Sequence, residues 1–246
     1  MVHLTLFLDD GDVMNDNALR GRQWQQLVGQ FFAPLLGGTP VAWAEANRTV
    51  SARLLESTAW QARLHAATDY ASFDQAYQID WLHGMCALLA LPAPPAEESV
   101  ALAKRAGAWV VRQVHAALPG AVEAIRALHT SGYVLHTASG TASTDLAGYL
   151  EGMGVRDCFE QLYGPDLIGV FKDGPRFYER VFEDAGVTAE AALVIDDNPQ
   201  VTAWAAQAGA QTVLVGRNLG RAGASDLQIA SLAELPALVA RLDTAR

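Results

Sequence analysis

The pattern of apolar and polar positions changes twice along the chain. Val2 to Leu8 is an almost unbroken apolar run with β-branched content, the signature of a strand buried on both faces. From Ala18 to about Leu118 the apolar residues recur at helical spacing instead. In WQQLVGQFFAPLL they stand at Trp24, Leu27, Val28, Phe31, Phe32 and Leu35, one stripe of an amphipathic helix. The same spacing predicts helices in VAWAEANRTVSARLLEST, SFDQAYQIDWLHGMCALLAL and EESVALAKRAGAWVVRQVHAAL. GGTP and LPAPPAEES break them. No stretch of this block reads as a strand.

After Leu118-Pro-Gly120 the pattern becomes an alternation. AVEAIRALHTSG, TDLAGYLEGMGV, RFYERVFEDAGV and VTAWAAQAGA read as helices, and YVLHTAS, FEQLYG, ALVIDD and QTVLVG as strands. LQIA suggests one more short strand before a C-terminal helix. Such alternation predicts an α/β architecture, a Rossmann-like parallel sheet sandwiched by helices. The expected organisation is a core domain from residues 1–17 and 118–246, with an inserted α-helical domain at 18–117.

Composition narrows the function. Apolar residues make up 51% and charged residues 18%, enough apolar side chain for a core and too few charges for a disordered chain. A net charge of −10 argues against nucleic acid or an anionic membrane as partner, because phosphate backbones are held by basic surfaces. No run approaches the ~18 apolar residues of a membrane span, and Asp9 comes too early for a secretory signal, so a cytoplasmic protein, monomer or homodimer, is expected. Cys86 and Cys158 match no metal or redox spacing and read as core residues, as do most tryptophans of the helical block. His65, His83, His115 and His136 have no ligand spacing.

In an open parallel sheet, ligands gather at the carboxyl ends of the strands. The polar residues there form a short set: Asp9-Asp10-Gly11-Asp12 after the first strand, Ser139-Gly140 after YVLHTA, Asp196-Asp197-Asn198 after ALVI, and Lys172 in the loop GVFKDGP. Two carboxylate groups at adjacent strand ends repel unless a cation lies between them. Mg²⁺ suits the place, since it takes hard oxygen ligands and keeps waters that a phosphate can replace. Lys172 adds a fixed positive charge; it is one of only two lysines, with Lys104, among 17 basic side chains. Ser139 can donate to a phosphoryl oxygen, and it also suits a helix N-cap.

Taken in order, the strand ending in Asp-x-x-x-Val, GYVLHTASG, GVFKDGP and ALVIDDNPQ…AAQAGA resemble the motifs of the haloacid dehalogenase (HAD) superfamily, in its phosphatase-like branch. The resemblance covers the first 17 residues and nearly everything after Leu118. It implies a strand order of 3-2-1-4-5 and a helical cap that closes over the site, excludes water and selects the leaving group. Only about 30 residues separate Ser139 from Lys172, too few for a second large cap. It further implies a Mg²⁺-dependent hydrolase of a small phosphorylated metabolite, acting through an aspartyl-phosphate.

Two registers fit the first motif. With Asp10 as nucleophile, Asp12 is the acid/base; with Asp9, Gly11 falls at that position and Val13-Met14 on the family's Thr/Val-Leu pair. The second register is preferred. Catalytic roles then fall to Asp9, Ser139 and Lys172, substrate binding to Ser139, Gly140 and Lys172, and metal binding to Asp9, the Gly11 carbonyl, Asp196 and Asp197, with Asp197 best aligned. Asp12 stands where relatives usually have glycine, and Val201 where many carry a further acid. Two rival readings remain: a 2-haloacid dehalogenase, which needs no metal, and a HAD-fold binding or regulatory protein with weakened catalysis.

Overall fold

The computed structural model describes residues 4–216, 219–220, 225 and 227–244. The chain forms two compact units, one from Met1–Asn17 with His115–Arg246 and one from Ala18–Val114.

The first unit is built on a six-stranded sheet. Its strands are β1 (Thr5–Leu8), β2 (Val134–Ala138), β3 (Gln161–Tyr163), β4 (Ala192–Asp196), β5 (Gln211–Val215) and β6 (Leu227–Ile229). All neighbours are parallel in the order β3-β2-β1-β4-β5-β6, so the expected 3-2-1-4-5 order is present and the strand in LQIA extends it by one. β1 is central: Leu6 lies opposite Leu135 of β2 and Leu193 of β4.

Side chains alternate across the strands. Leu4, Leu6 and Leu8 enter one core layer with Ile125 and Leu128 of α6 (Ala121–Thr130), Leu146 and Leu150 of α7 (Ser143–Met153), and Leu235 and Val239 of α11 (Leu235–Thr244). Phe7 enters the opposite layer with Phe177, Tyr178, Val181 and Phe182 of α9 (Pro175–Ala185) and Ala205 of α10 (Pro199–Gln207). His136 stacks on Phe7 at 5.1 Å and its Nδ1 accepts from the Gln161 N–H. Burial holds its pKa down, so it packs as a neutral ring. A four-residue helix, α8 (Pro165–Ile168), precedes α9.

The second unit is helical: α1 (Asn17–Leu36, its first residue belonging to the other unit), α2 (Pro40–Leu54), α3 (Ser57–Ala66), α4 (Tyr70–Leu88) and α5 (Ala96–Val111). Its centre is aromatic. Phe32 stacks on Trp43 at 5.0 Å and meets Trp81 at 5.7 Å, each such burial contributing about 1.5–3 kcal/mol. The Trp81 indole N–H donates to Asn47 Oδ1 at 2.8 Å, which satisfies a buried polar pair. A Cβ on Gly29 would lie 2.1 Å from the Pro40 carbonyl oxygen, so only glycine allows α1 to pass the start of α2. Thr39 caps α2 ahead of Pro40, and Asp69 with Ser72 forms a reciprocal cap on α4. Cys86 and Cys158 are buried free thiols. Among the described residues no helix is long and apolar enough to cross a membrane.

Candidate active site

The two aspartates that end β1 part company. The Asp9 N–H still bonds to the Ile195 carbonyl, so the strand's alternation runs on and puts Asp9 on the Phe7 side, toward α9, and Asp10 on the side of Leu8. Asp10 is fully buried and holds the loop that follows. Its carbonyl accepts from the N–H groups of Met14 and Asn15, and its Oδ1 from Asn15 Nδ2 at 2.7 Å. Asp9 instead meets Lys172, whose Nζ lies 2.7 Å from Asp9 Oδ1 and 2.7 Å from Asp196 Oδ2. The lysine comes from the α8–α9 loop and ties the ends of β1 and β4 together.

This cluster is almost closed to water: the side chains of Lys172, Asp9 and Asp196 are 8%, 13% and 2% exposed. Burial pushes Lys172 toward its neutral form, but Asp196 and Asp9 outweigh that and hold its pKa well above the ordinary lysine value. Asp196 is pushed upward by burial and by Asp9, against the pull of Lys172 and of the Asn198 N–H that bonds its Oδ1 at 2.9 Å. Asp197 is half-buried beside it. Burial, then the charges of Asp196, Asp9 and Asp12, raise its pKa to about 7. The Tyr178 hydroxyl, buried, sits in the same field; burial drives its pKa far up and keeps it un-ionised.

Gly11 adds a main-chain carbonyl to this edge and no side chain. The room a side chain there would take is filled by Asn17: a Cβ on Gly11 would lie 2.7 Å from Asn17 Nδ2 and 2.8 Å from its Oδ1. Asp12 adopts a left-handed backbone, φ +57°, the conformation for which a glycine is usual. Aspartate tolerates it here because its Oδ1 accepts the Asn17 N–H at 3.1 Å. Val201, on α10, is buried in the core layer with Ala205, a packing role.

Ser139 follows β2 and is buried, with its N–H on the Tyr163 carbonyl. It is not a helix cap. α7 starts at Ser143, and Ser139 Oγ accepts from the Thr141 N–H at 3.3 Å. The helix start is held by Asp166, which accepts from the Ser143 N–H at 2.8 Å and from its hydroxyl. Gly140 is exposed, with open space where a Cβ would point.

Among the described residues no three His, Cys, Asp or Glu side chains form a ready-made metal cage. Mg²⁺ does not require one, since it binds through one or two carboxylates, waters and substrate oxygens. The donors at this edge are hard oxygens, and the carboxylates of Asp9, Asp196 and Asp197 outnumber the single ammonium of Lys172. The residues present therefore fit the ion.

A family model described as haloacid dehalogenase-like hydrolase matches residues 22–209, well over half of the chain. The chain belongs to the haloacid dehalogenase-like hydrolases. A stretch of 103 residues is 28% identical to phosphoglycolate phosphatase of Rhodospirillum rubrum, covering 42% of this chain and 43% of that enzyme. Among solved structures, L-2-haloacid dehalogenase of Xanthobacter autotrophicus superimposes with a TM-score of 0.64 at 16% identity, over 97% of this chain and 98% of that one. The HAD-hydrolase YfnB of Bacillus subtilis, bound to magnesium, gives 0.64 at 19% identity, over 98% and 100%. At such identities these structures share the fold. Within this HAD-like hydrolase, sequence reasoning missed Asn17 and Tyr178. Asn17 reaches Gly11 by a return of the loop, and Tyr178 lies in a helix whose pattern reads only as core.

Proposed function

We propose that this HAD-like hydrolase cleaves small phosphorylated metabolites, with Asp9 as nucleophile. The observation that carries the reading is the buried bridge from Lys172 to Asp9 and Asp196, set beside Asp197. Lys172 engages Asp9 Oδ1 and so leaves Oδ2 to attack phosphorus in line. The bond from phosphorus to the leaving oxygen breaks, and its electron pair departs with that oxygen. Water then attacks the aspartyl-phosphate, releasing phosphate and restoring the carboxylate. Lys172 and Ser139 stabilise charge on the transferring group. Mg²⁺, held by Asp9, the Gly11 carbonyl and the Asp196-Asp197 pair, would supply charge neutralisation to the phosphoryl oxygens. The partial likeness to a phosphoglycolate phosphatase supports the same reaction class.

The acidic pair also bears on the rival reaction at carbon. A 2-haloacid substrate carries its own carboxylate, and Lys172 is already shared between two. Release of nitrophenol from p-nitrophenyl phosphate, with Mg²⁺ and with chelator, tests the proposal against halide release from 2-chloropropionate. Halide release that survives chelation, without phosphatase turnover, overturns it; neither activity would leave the binding-protein reading.

A further inference from the structure

The helical unit contains an open cleft of about 520 Å³ between α2, α3 and α4. Two arginines line it, Arg53 and Arg63. Arg53 is exposed and makes no ion pair among the described residues. Its guanidinium lies against α4 where that helix has Gly84: a Cβ there would come within 2.9 Å of Arg53 Nη2. Arg63 is 19% exposed and pairs through Nη1 with Asp80 at 2.8 Å. Its Nε is buried with no hydrogen-bond partner, an unsatisfied donor on a charged group. His83 closes the wall in a fixed orientation. Ser99 Oγ donates to the Pro94 carbonyl, so His83 Nε2 is the donor to Ser99, at 2.9 Å. Leu54 and Ala59 add apolar surface.

We infer that this cleft is an anion-binding site for a small organic molecule with a carboxylate or phosphate head. Two guanidiniums against one carboxylate leave a surplus positive charge, in a chain whose net charge is −10. Guanidinium forks match planar or tetrahedral oxyanions through paired N–H donors. The volume exceeds what an inorganic ion fills and lies within the range of metabolite sites, so the apolar surface takes the body of the ligand. The inference concerns the helical unit alone and does not rest on the reaction proposed above.

Calorimetric titration with benzoate and with inorganic phosphate, at ionic strength matched with chloride, tests it. At least one probe should bind the wild type, and Arg53→Gln should weaken that binding at least tenfold. Arg53→Lys, which keeps the charge and loses the fork, should weaken it less. Arg53 has no partner to lose, so these variants should keep the wild-type circular dichroism spectrum. Phosphate binding that survives in Arg53→Gln belongs to the strand-end cluster. Equal affinity of wild type and Arg53→Gln for both probes overturns the inference, as does a response to benzoate and phosphate no larger than that to chloride.

Discussion

The two units treat charge in opposite ways. In the α/β unit, Lys172 is 8% exposed and shared between two carboxylates that are as well buried. In the helical unit, Arg63 meets an Asp80 that is 51% exposed, and Arg53 stands in the open. Removing one member of a buried, hydrogen-bonded set leaves an uncompensated charge and costs about 3–5 kcal/mol, whereas exposed pairs contribute about 0–1 kcal/mol. The α/β cluster is thus part of the structural frame as well as the proposed site, whereas the Arg63–Asp80 pair and Arg53 carry little structural weight.

The sharpest way to break this contrast is Lys172→Met. In metal-free protein it should lose about 3–5 kcal/mol in urea unfolding as well as all turnover; a loss below 1 kcal/mol would put the lysine outside the structural frame. Next come the neighbouring aspartates. Asp9→Asn should lower phosphatase turnover by more than ~10³-fold and cost less stability than Lys172→Met, because Asp196 still pairs with the ammonium, while Asp10→Asn should cost roughly 1–3 kcal/mol and keep much of the activity. The reverse pattern would move the nucleophile to Asp10.

Gly11 gives a smaller effect. With no side chain to protonate the leaving oxygen, the enzyme should prefer aryl or acyl phosphates to alkyl phosphates by a factor of about 10²–10⁴. Gly11→Asp should narrow that preference only with Asn17→Ala, because Asn17 fills the space. Equal narrowing in the single variant would show that the carboxamide does not obstruct.

Asp197 tests the electrostatics alone. Its folded pKa of about 7 lies above the unfolded carboxylate value, so the native state holds the proton more tightly. The metal-free protein should lose stability as pH rises from about 4 through 7. Asp197→Asn should remove about 1–2 kcal/mol of that loss at pH 8, allowing for solvent screening, and Mg²⁺ should raise the wild-type Tm more at pH 8 than at pH 5. A flat difference across pH would contradict this. The smallest effect belongs to the helical unit: Asp80→Asn should change stability by less than about 1 kcal/mol, and a larger loss would mean that the Arg63 pair is structural after all.

Much of the α/β unit was legible because its strands are short apolar runs that end in the polar residues of the candidate site. Lys172 could be singled out as a lysine among arginines, and strand ends place Asp9 and Asp196 without long-range knowledge. Other features left no local trace. Helix α3 buries no side chain, so it has no apolar stripe to read. Ser139 suited a cap by residue type, but the cap of α7 comes from Asp166, 23 positions away. The cleft in the helical unit draws on three helices, and nothing in their spacing announces it.

The placement of β1 has a further consequence during synthesis. Asp9 and Lys172 are 163 positions apart, so at ~5–20 residues per second the carboxylate waits roughly 8–30 s for its ammonium. β1 also waits for company: its first neighbour in the sheet, β2, is made shortly before Lys172, and its second, β4, after it. The helical unit, complete at Val114, has all five of its helices on hand well before then. Synthesis thus completes the insert while β1, an apolar strand, has neither sheet neighbour paired to it, and so leaves β1 open to chaperones on the ribosome. Limited proteolysis of stalled nascent chains would reveal this order, with residues 18–114 protected first and β1 only after β4 has emerged.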